Sequence, residues 1–229
     1  MGTSKRKGPA RERAGDEAVP PVGVRIIGGK FRGRKLEYSG DPRTRPMKDR
    51  VREALFNLLG TAVRGKHAID LFAGTGALGL EALSRGAVRA TLVERHFPTA
   101  GAIRRNAKTL GVEEQVEVVA ANTFLWFRRR PELGADPWLV FSSPPYAFYT
   151  ERSGEMLELL EGIARAMPVQ SVMVVEADER FDFGRLPYPA EWRVRAYPPA
   201  VVGIYHKVES DHGHPEHQPS AGLHDQGRL

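Results

Sequence analysis

The sequence predicts an α/β fold: a mostly parallel, seven-stranded sheet with helices on both faces and a small basic N-terminal β-hairpin/helix extension. Three observations carry that prediction. From residue 67 onward, five short apolar runs alternate with helical stretches, the pattern of strands joined by crossover helices. The first run meets a glycine-rich turn that opens a helix. Two final runs flank a Pro-Pro pair and read as an antiparallel pair closing the sheet.

Taken in order, residues 1–21 are rich in Lys, Arg, Gly, Ala, Glu and Pro and hold almost nothing to bury; they read as a disordered basic tail. VRIIGGKFRGRKLEY (24–38) has two apolar runs around a basic glycine turn, which predicts a β-hairpin. After the loop SGDPRTRPM, Val51, Leu55, Leu58 and Leu59 recur at helical spacing, with Gly60 as the stop. Arg50 and Arg52 then fall on or near the polar side of that helix. Residues 22–60 thus form an extension. The expected strands of the main unit, residues 61–208, are 68–72, 90–94, 115–121, 138–143 and 171–177, then 192–197 and 201–208. A helix is predicted over 151–166, with Met156, Leu159, Leu160 and Ile163 on one face.

Composition narrows the function. At 229 residues the chain has room for one domain with appendages. It contains no cysteine, which excludes disulfide scaffolds, zinc ribbons, iron–sulfur sites and thiol nucleophiles. No apolar run reaches the ~18 residues of a membrane span, and the basic N-terminus lacks the apolar stretch of a secretory signal. A cytoplasmic location and no membrane partner are expected. Residues 1–60 carry 15 Lys/Arg against 7 Asp/Glu, a net of +8, whereas the remainder carries 19 against 21, a net of −2. That clustering fits a polyanion docked at one end, or equally a solvated basic arm. Residues 209–229 hold four of the seven histidines, but irregular spacing and intervening Pro and Gly favour a disordered tail over a metal site, and no metal is expected.

Gly74-Thr75-Gly76-Ala77-Leu78-Gly79 matches G-x-G-x-x-G after a strand and before a helix, and Glu94 ends the next strand. The glycines let backbone approach an adenosine-bearing ligand, and the acid accepts from ribose hydroxyls. Spacing alone leaves NAD and S-adenosylmethionine open. Asp70, four residues before Gly74, can pair with the cationic amino group of a methionine moiety but would repel a pyrophosphate. The fourth strand ends in Ser143-Pro144-Pro145-Tyr146. A rigid Pro-Pro turn there holds a carbonyl toward the cleft and places an aromatic ring over it, the parts that grip a flat base and its exocyclic amine.

DLFAGTGALGLEALSRGA (70–87), RIIGGKFRGRKL (25–36) and RTRPMKDRVREALFNLL (43–59) closely resemble the RsmD family of bacterial methyltransferases, which act on a guanine N2 amine of 16S ribosomal RNA. The resemblance spans residues 23 to 208. It implies a Rossmann-like class I methyltransferase domain over 61–208 and S-adenosylmethionine as cofactor. Asp70, Phe72, Gly74 and Gly76 would lie along the cofactor, Glu94 would hold its ribose, and Asn122 would read its adenine edge. Ser143, Pro144, Pro145 and Tyr146 would form the catalytic acceptor site. Arg45, Lys48, Arg50, Arg52 and Asn57 would contact RNA and close the cleft. The implied partner is ribosomal RNA within a small-subunit particle, and the chain is expected to act as a monomer. Ser143 departs from the Asp or Asn usual before the two prolines and carries no charge to offset the one developing on nitrogen. It resembles the S-P-P-Y of DNA cytosine-N4 methyltransferases. DNA amino-methylation, and non-catalytic RNA binding in ribosome assembly, are therefore the alternatives; NAD-dependent oxidoreduction is a weaker one.

Overall fold

The computed structural model describes residues 23–38 and 46–209. The two predicted tails, apart from residue 209, lie outside the described residues, as does Arg45. The main sheet contains β3 (His67–Asp70), β4 (Arg89–Val93), β5 (Val116–Val119), β6 (Trp138–Ser142), β7 (Val172–Asp178), β8 (Arg193–Tyr197) and β9 (Ala200–His206). Their spatial order is β5-β4-β3-β6-β7-β9-β8. The pairs from β5 through β7 are parallel; β7–β9 and β8–β9 are antiparallel. This is the α/β, seven-stranded architecture the sequence predicts. Chain order reverses direction between β3 and β6, which opens a crevice at the carboxyl ends of the central strands.

The central strands β4, β6 and β7 read as continuous apolar runs because both faces are covered. Ala68, Leu92, Leu139, Phe141 and Val174 face one core with Leu55, Phe56, Leu80 and Ile103. Their neighbours Ile69, Val140, Met173 and Val175 face the other core with Met156, Leu160 and Ile163. Residues one apart thus serve opposite layers, as the period of two requires. The first core is closed by α1 (Asp49–Leu59), α2 (Ala77–Ser84) and α3 (Phe97–Leu110), the second by α4 (Thr123–Arg128) and α6 (Ser153–Ala166). The helix expected over 151–166 is divided: α5 (Phe148–Glu151) ends at Arg152, whose φ of −129° is not helical, and α6 starts afresh.

The N-terminal hairpin, β1 (Val24–Arg25) with β2 (Lys35–Leu36), is present. It packs into the first core through Val24, Ile26, Phe31 and Leu36. Three buried side chains of the main unit hold it by its backbone. Glu81 accepts from the amides of Ile27 (2.7 Å) and Gly28 (2.8 Å). Ser84 Oγ accepts from Phe31 N, and Asn106 both accepts from Glu37 N and donates to its carbonyl.

Arg52 requires a correction. The sequence places it on the polar side of α1 as an RNA contact, but it is 0% exposed. The hairpin covers that side of the helix. Arg52 Nη2 donates to the carbonyl of Arg25 and to Asp49 (3.0 Å), and Nε lies 3.8 Å from Glu81. Burial lowers its proton affinity while Asp49 and Glu81 oppose that shift. It ties the hairpin to α1 and presents no exposed cation on the outer side of the helix.

Candidate active site

A cavity of about 650 Å³ opens at the carboxyl ends of the parallel strands, the position the strand order anticipates. Each wall comes from the segment after a different strand. Gly74 and Thr75 follow β3, Glu94 follows β4, Asn122 follows β5, and Ser143 to Tyr146 follow β6. Residues far apart in the chain therefore meet because four strands end together.

The glycine turn is shaped by contacts a side chain would block. Gly76 has a φ of +76°, and a Cβ there would stand 3.0 Å from Ile103. At Gly79 a Cβ would stand 2.1 Å from a Leu92 methyl, so α2 lies directly against β4. Glu94 braces the turn: one carboxylate oxygen accepts from Gly74 N (2.9 Å) and the other from His96 N (2.7 Å). Its acceptor capacity is larger than two bonds, and it borders the cavity.

Asp70 ends β3 beneath this turn, 1% exposed. It stands behind the cavity wall, and no side chain among the described residues donates to either oxygen. Burial pushes its carboxyl up to about 7; nearby Glu94 adds to the rise, and the backbone of Phe72 and Gly79 opposes it. A buried carboxylate without a counter-charge is costly, and a cation brought to the turn would relieve that cost.

Phe72 continues the wall and meets Phe124 and Phe148 at ring distances of 6.0 and 6.1 Å. Arg152, at the break between α5 and α6, stacks its guanidinium 4.2 Å from the Phe124 ring centre. Glu155 holds it in a fork at 3.0 and 2.7 Å. Asn122 lines the cavity and also caps α4, its side-chain oxygen accepting from Leu125 N at 3.2 Å.

In the turn after β6, Pro144 is buried and Pro145 exposed. The carbonyls of Pro145 and Tyr146 accept from Phe148 N and Tyr149 N. Among the described residues no backbone amide donates to the Pro144 carbonyl, which leaves it available to a ligand. The hydroxyls of Ser143 and Tyr146 both donate to Glu176 of β7, the latter at 3.0 Å.

The remaining sequence-derived residues are dispersed along the segment that enters α1 and along α1 itself. Lys48 lines the cavity and is exposed. Arg50 is exposed, its guanidinium donating to the Pro198 carbonyl at 3.1 Å between β8 and β9. Asn57 lies exposed on α1 and is not part of the cavity wall. Sequence reasoning missed Arg152, Glu176, Phe124 and Phe148. Only Glu176 left a signal, as the single acid inside the apolar run SVMVVEA. No helix among the described residues is long and apolar enough to cross a membrane.

Comparison with known proteins places this cavity in context. A family described as Conserved hypothetical protein 95 matches residues 24–197. Ribosomal RNA small subunit methyltransferase D of Escherichia coli is 35% identical over 169 residues, covering 74% of this chain and 81% of that protein. Its namesake from Haemophilus influenzae is 40% identical over 126 residues, covering 55% and 65%. The solved structure of Escherichia coli yhhF superposes with a TM-score of 0.66 at 33% identity, over 81% of this chain and 98% of that one. An RNA methyltransferase from Salinibacter ruber, solved with S-adenosyl-L-homocysteine, shares the fold at a TM-score of 0.53 and 19% identity, over 72% and 95%.

Proposed function

The chain belongs to the family described as Conserved hypothetical protein 95, which includes ribosomal RNA small subunit methyltransferase D, and on that premise we propose that it methylates an exocyclic amine of 16S ribosomal RNA, guanine N2. It is a class I methyltransferase that uses S-adenosylmethionine. The observation carrying this reading is the convergence of the glycine turn, Glu94 and the Ser143–Tyr146 turn on one cavity.

The residues present fit that cofactor. The buried Asp70 carboxylate, which has no counter-charge, supports the reading that a methionine amino group approaches this turn. Gly74 brings backbone against the ligand, Glu94 accepts from the ribose hydroxyls, and Asn122 meets the adenine edge. When bound, the cofactor supplies a methyl group on a positively charged sulfur that leaves as a neutral thioether. The protein has then to hold the acceptor in line with that methyl group and keep water out. Pro144 accepts from the amine through its carbonyl, and Tyr146 stacks on the base, its hydroxyl pinned by Glu176. The base must leave its helix or lie in a loop to enter. Lys48 and Arg50 flank the entrance and meet phosphates, with affinity that falls as salt rises. The substrate is a small-subunit particle in the cytoplasm, on which the chain acts as a monomer.

The test is incubation with labelled S-adenosylmethionine and small-subunit particles from cells lacking the gene, followed by mapping of the modified base. Label on one guanine N2 of 16S RNA is the expected result. Label on cytosine N4 of DNA would support the reading that Ser143 favours, and no transfer to any nucleic acid would leave an RNA-binding assembly factor.

A further inference from the structure

Glu176 is an expensive residue to keep. It lies in β7, is only 6% exposed, and follows Val172, Met173, Val174 and Val175, all buried. An ionised carboxylate in such a place is retained only with close hydrogen-bonding partners. Two of them are the Ser143 hydroxyl, donating to Oε2, and the Tyr146 hydroxyl, donating to Oε1 at 3.0 Å. Tyr149 donates to the Glu176 backbone carbonyl at 3.1 Å and fixes the strand beside the turn. Both residues that grip the acceptor base are therefore oriented by one carboxylate, which itself borders the cavity.

From this arrangement we propose that Glu176 is the charged group of the acceptor site, acting through Ser143. The inference rests on the proposed methyl transfer and deepens it. Ser143 spends its only proton on Glu176, so its oxygen presents lone pairs to the cleft and accepts from the acceptor amine. As the nitrogen lone pair forms the N–C bond, the C–S bond breaks and sulfur keeps that electron pair. The nitrogen then carries positive charge. It passes a proton to Ser143 Oγ while the hydroxyl proton moves to Glu176 Oε2, and Glu176 later releases that proton to solvent. Ser143 and Glu176 together do what a carboxylate directly before the prolines would do alone. Adding an aspartate at 143 while Glu176 remains sets two carboxylates side by side, where one must stay protonated. Removing Glu176 and adding that aspartate moves the charge by one side chain.

Glu176 is on this account a positioning residue, and charge transposition tests it. Single-turnover transfer from labelled S-adenosylmethionine to small-subunit particles is measured for the wild type, E176Q, S143A, S143A/E176Q and S143D/E176Q. Cofactor affinity is followed by calorimetry and folding by thermal melts. E176Q is expected to slow transfer at least tenfold, with the particle KM and cofactor Kd within twofold of wild type. S143A/E176Q should be no slower than the slower single variant, because the two residues act as one unit. S143D/E176Q should recover at least a third of the wild-type rate. A wild-type rate in E176Q, multiplied losses in the alanine double variant, or no recovery with the transposed aspartate would each overturn the proposal. Should E176Q fold poorly, S143A, which keeps the carboxylate, is decisive alone: at least tenfold slowing supports the proposal and an unchanged rate overturns it. A wild type that binds the cofactor but methylates no particle would overturn the proposed function, and this inference with it. An active wild type with an indifferent E176Q overturns the inference only.

Discussion

The two halves of the cavity are built by different means. The half proposed to hold the cofactor, after β3 and β4, is made largely of backbone: a glycine turn whose φ angles and close packing leave no room for side chains, braced by Glu94. The half proposed to hold the acceptor, after β6 and β7, is made of side chains tied across strands, with Ser143 and Tyr146 held by Glu176 33 and 30 residues away. A backbone cradle is a local property of a contiguous motif. A side-chain cluster depends on which strands the topology brings together, so it can exchange one acid position for another without losing its charge. On the proposal above, Glu176 supplies the charge that Ser143 lacks.

The largest expected effect strikes both halves at once, through the buried cation that ties the hairpin to α1 at the cavity wall. Arg52→Met leaves Asp49 without its buried partner and two carbonyls, those of Met47 and Arg25, without this donor, while Glu81 keeps Arg85 at 2.8 Å. Loss of one partner from a buried pair costs about 3–5 kcal/mol, and urea unfolding should show a fall in stability of that order.

The next effect separates the halves by pH. Burial pushes the Asp70 carboxyl in the fold up to about 7, from 3.8 for an ordinary aspartate. Between those values the folded chain holds a proton that the unfolded chain has lost, so rising pH removes stability through this window and the loss is complete above pH 7. Asp70→Asn should thus gain on the wild type as pH rises from 4 to 8, by at most about 4 kcal/mol. Urea melts at pH 5 and pH 8 measure it. The same substitution should weaken S-adenosylmethionine binding, while a charge change at the acceptor half leaves that affinity within twofold.

The smallest effect lies at the rim. Arg50 is exposed and makes a bond to a turn carbonyl, so Arg50→Ala should change stability by less than about 0.5 kcal/mol. RNA affinity should fall, and the slope of its logarithm against salt should flatten by about one. A loss of stability as large as that of Arg52→Met would mean that the rim and the buried tie are one structural unit.

The same contrast accounts for what the sequence makes legible. The strands stand out because apolar residues face both layers, and the glycine turn stands out because its residues are consecutive. Strand ends moved by a residue or two, as at Val116–Val119 against the expected 115–121. Arg52 was misplaced because helical periodicity marks one buried face, and the hairpin buries a second face of α1. Glu81 belongs to the same case: it is 0% exposed in α2, with the hairpin amides as its partners. Arg152 lay hidden in a predicted helix that the fold interrupts at that very residue. Ser143, Tyr146 and Glu176 were all visible as residues, but their hydrogen bonds exist only because β6 and β7 are neighbours.

A crossed comparison of Glu94→Ala and Tyr146→Ala tests the division of labour most directly. Single-turnover methyl transfer to small-subunit particles would be followed as S-adenosylmethionine is raised to saturation. Glu94→Ala should weaken cofactor binding by about 1.5–3 kcal/mol and regain close to the wild-type rate once saturated. Tyr146→Ala should bind cofactor as the wild type does and remain more than tenfold slow at every concentration, because the base has lost its stacking surface. Two variants that recover alike, or fail alike, at saturating cofactor would contradict the account.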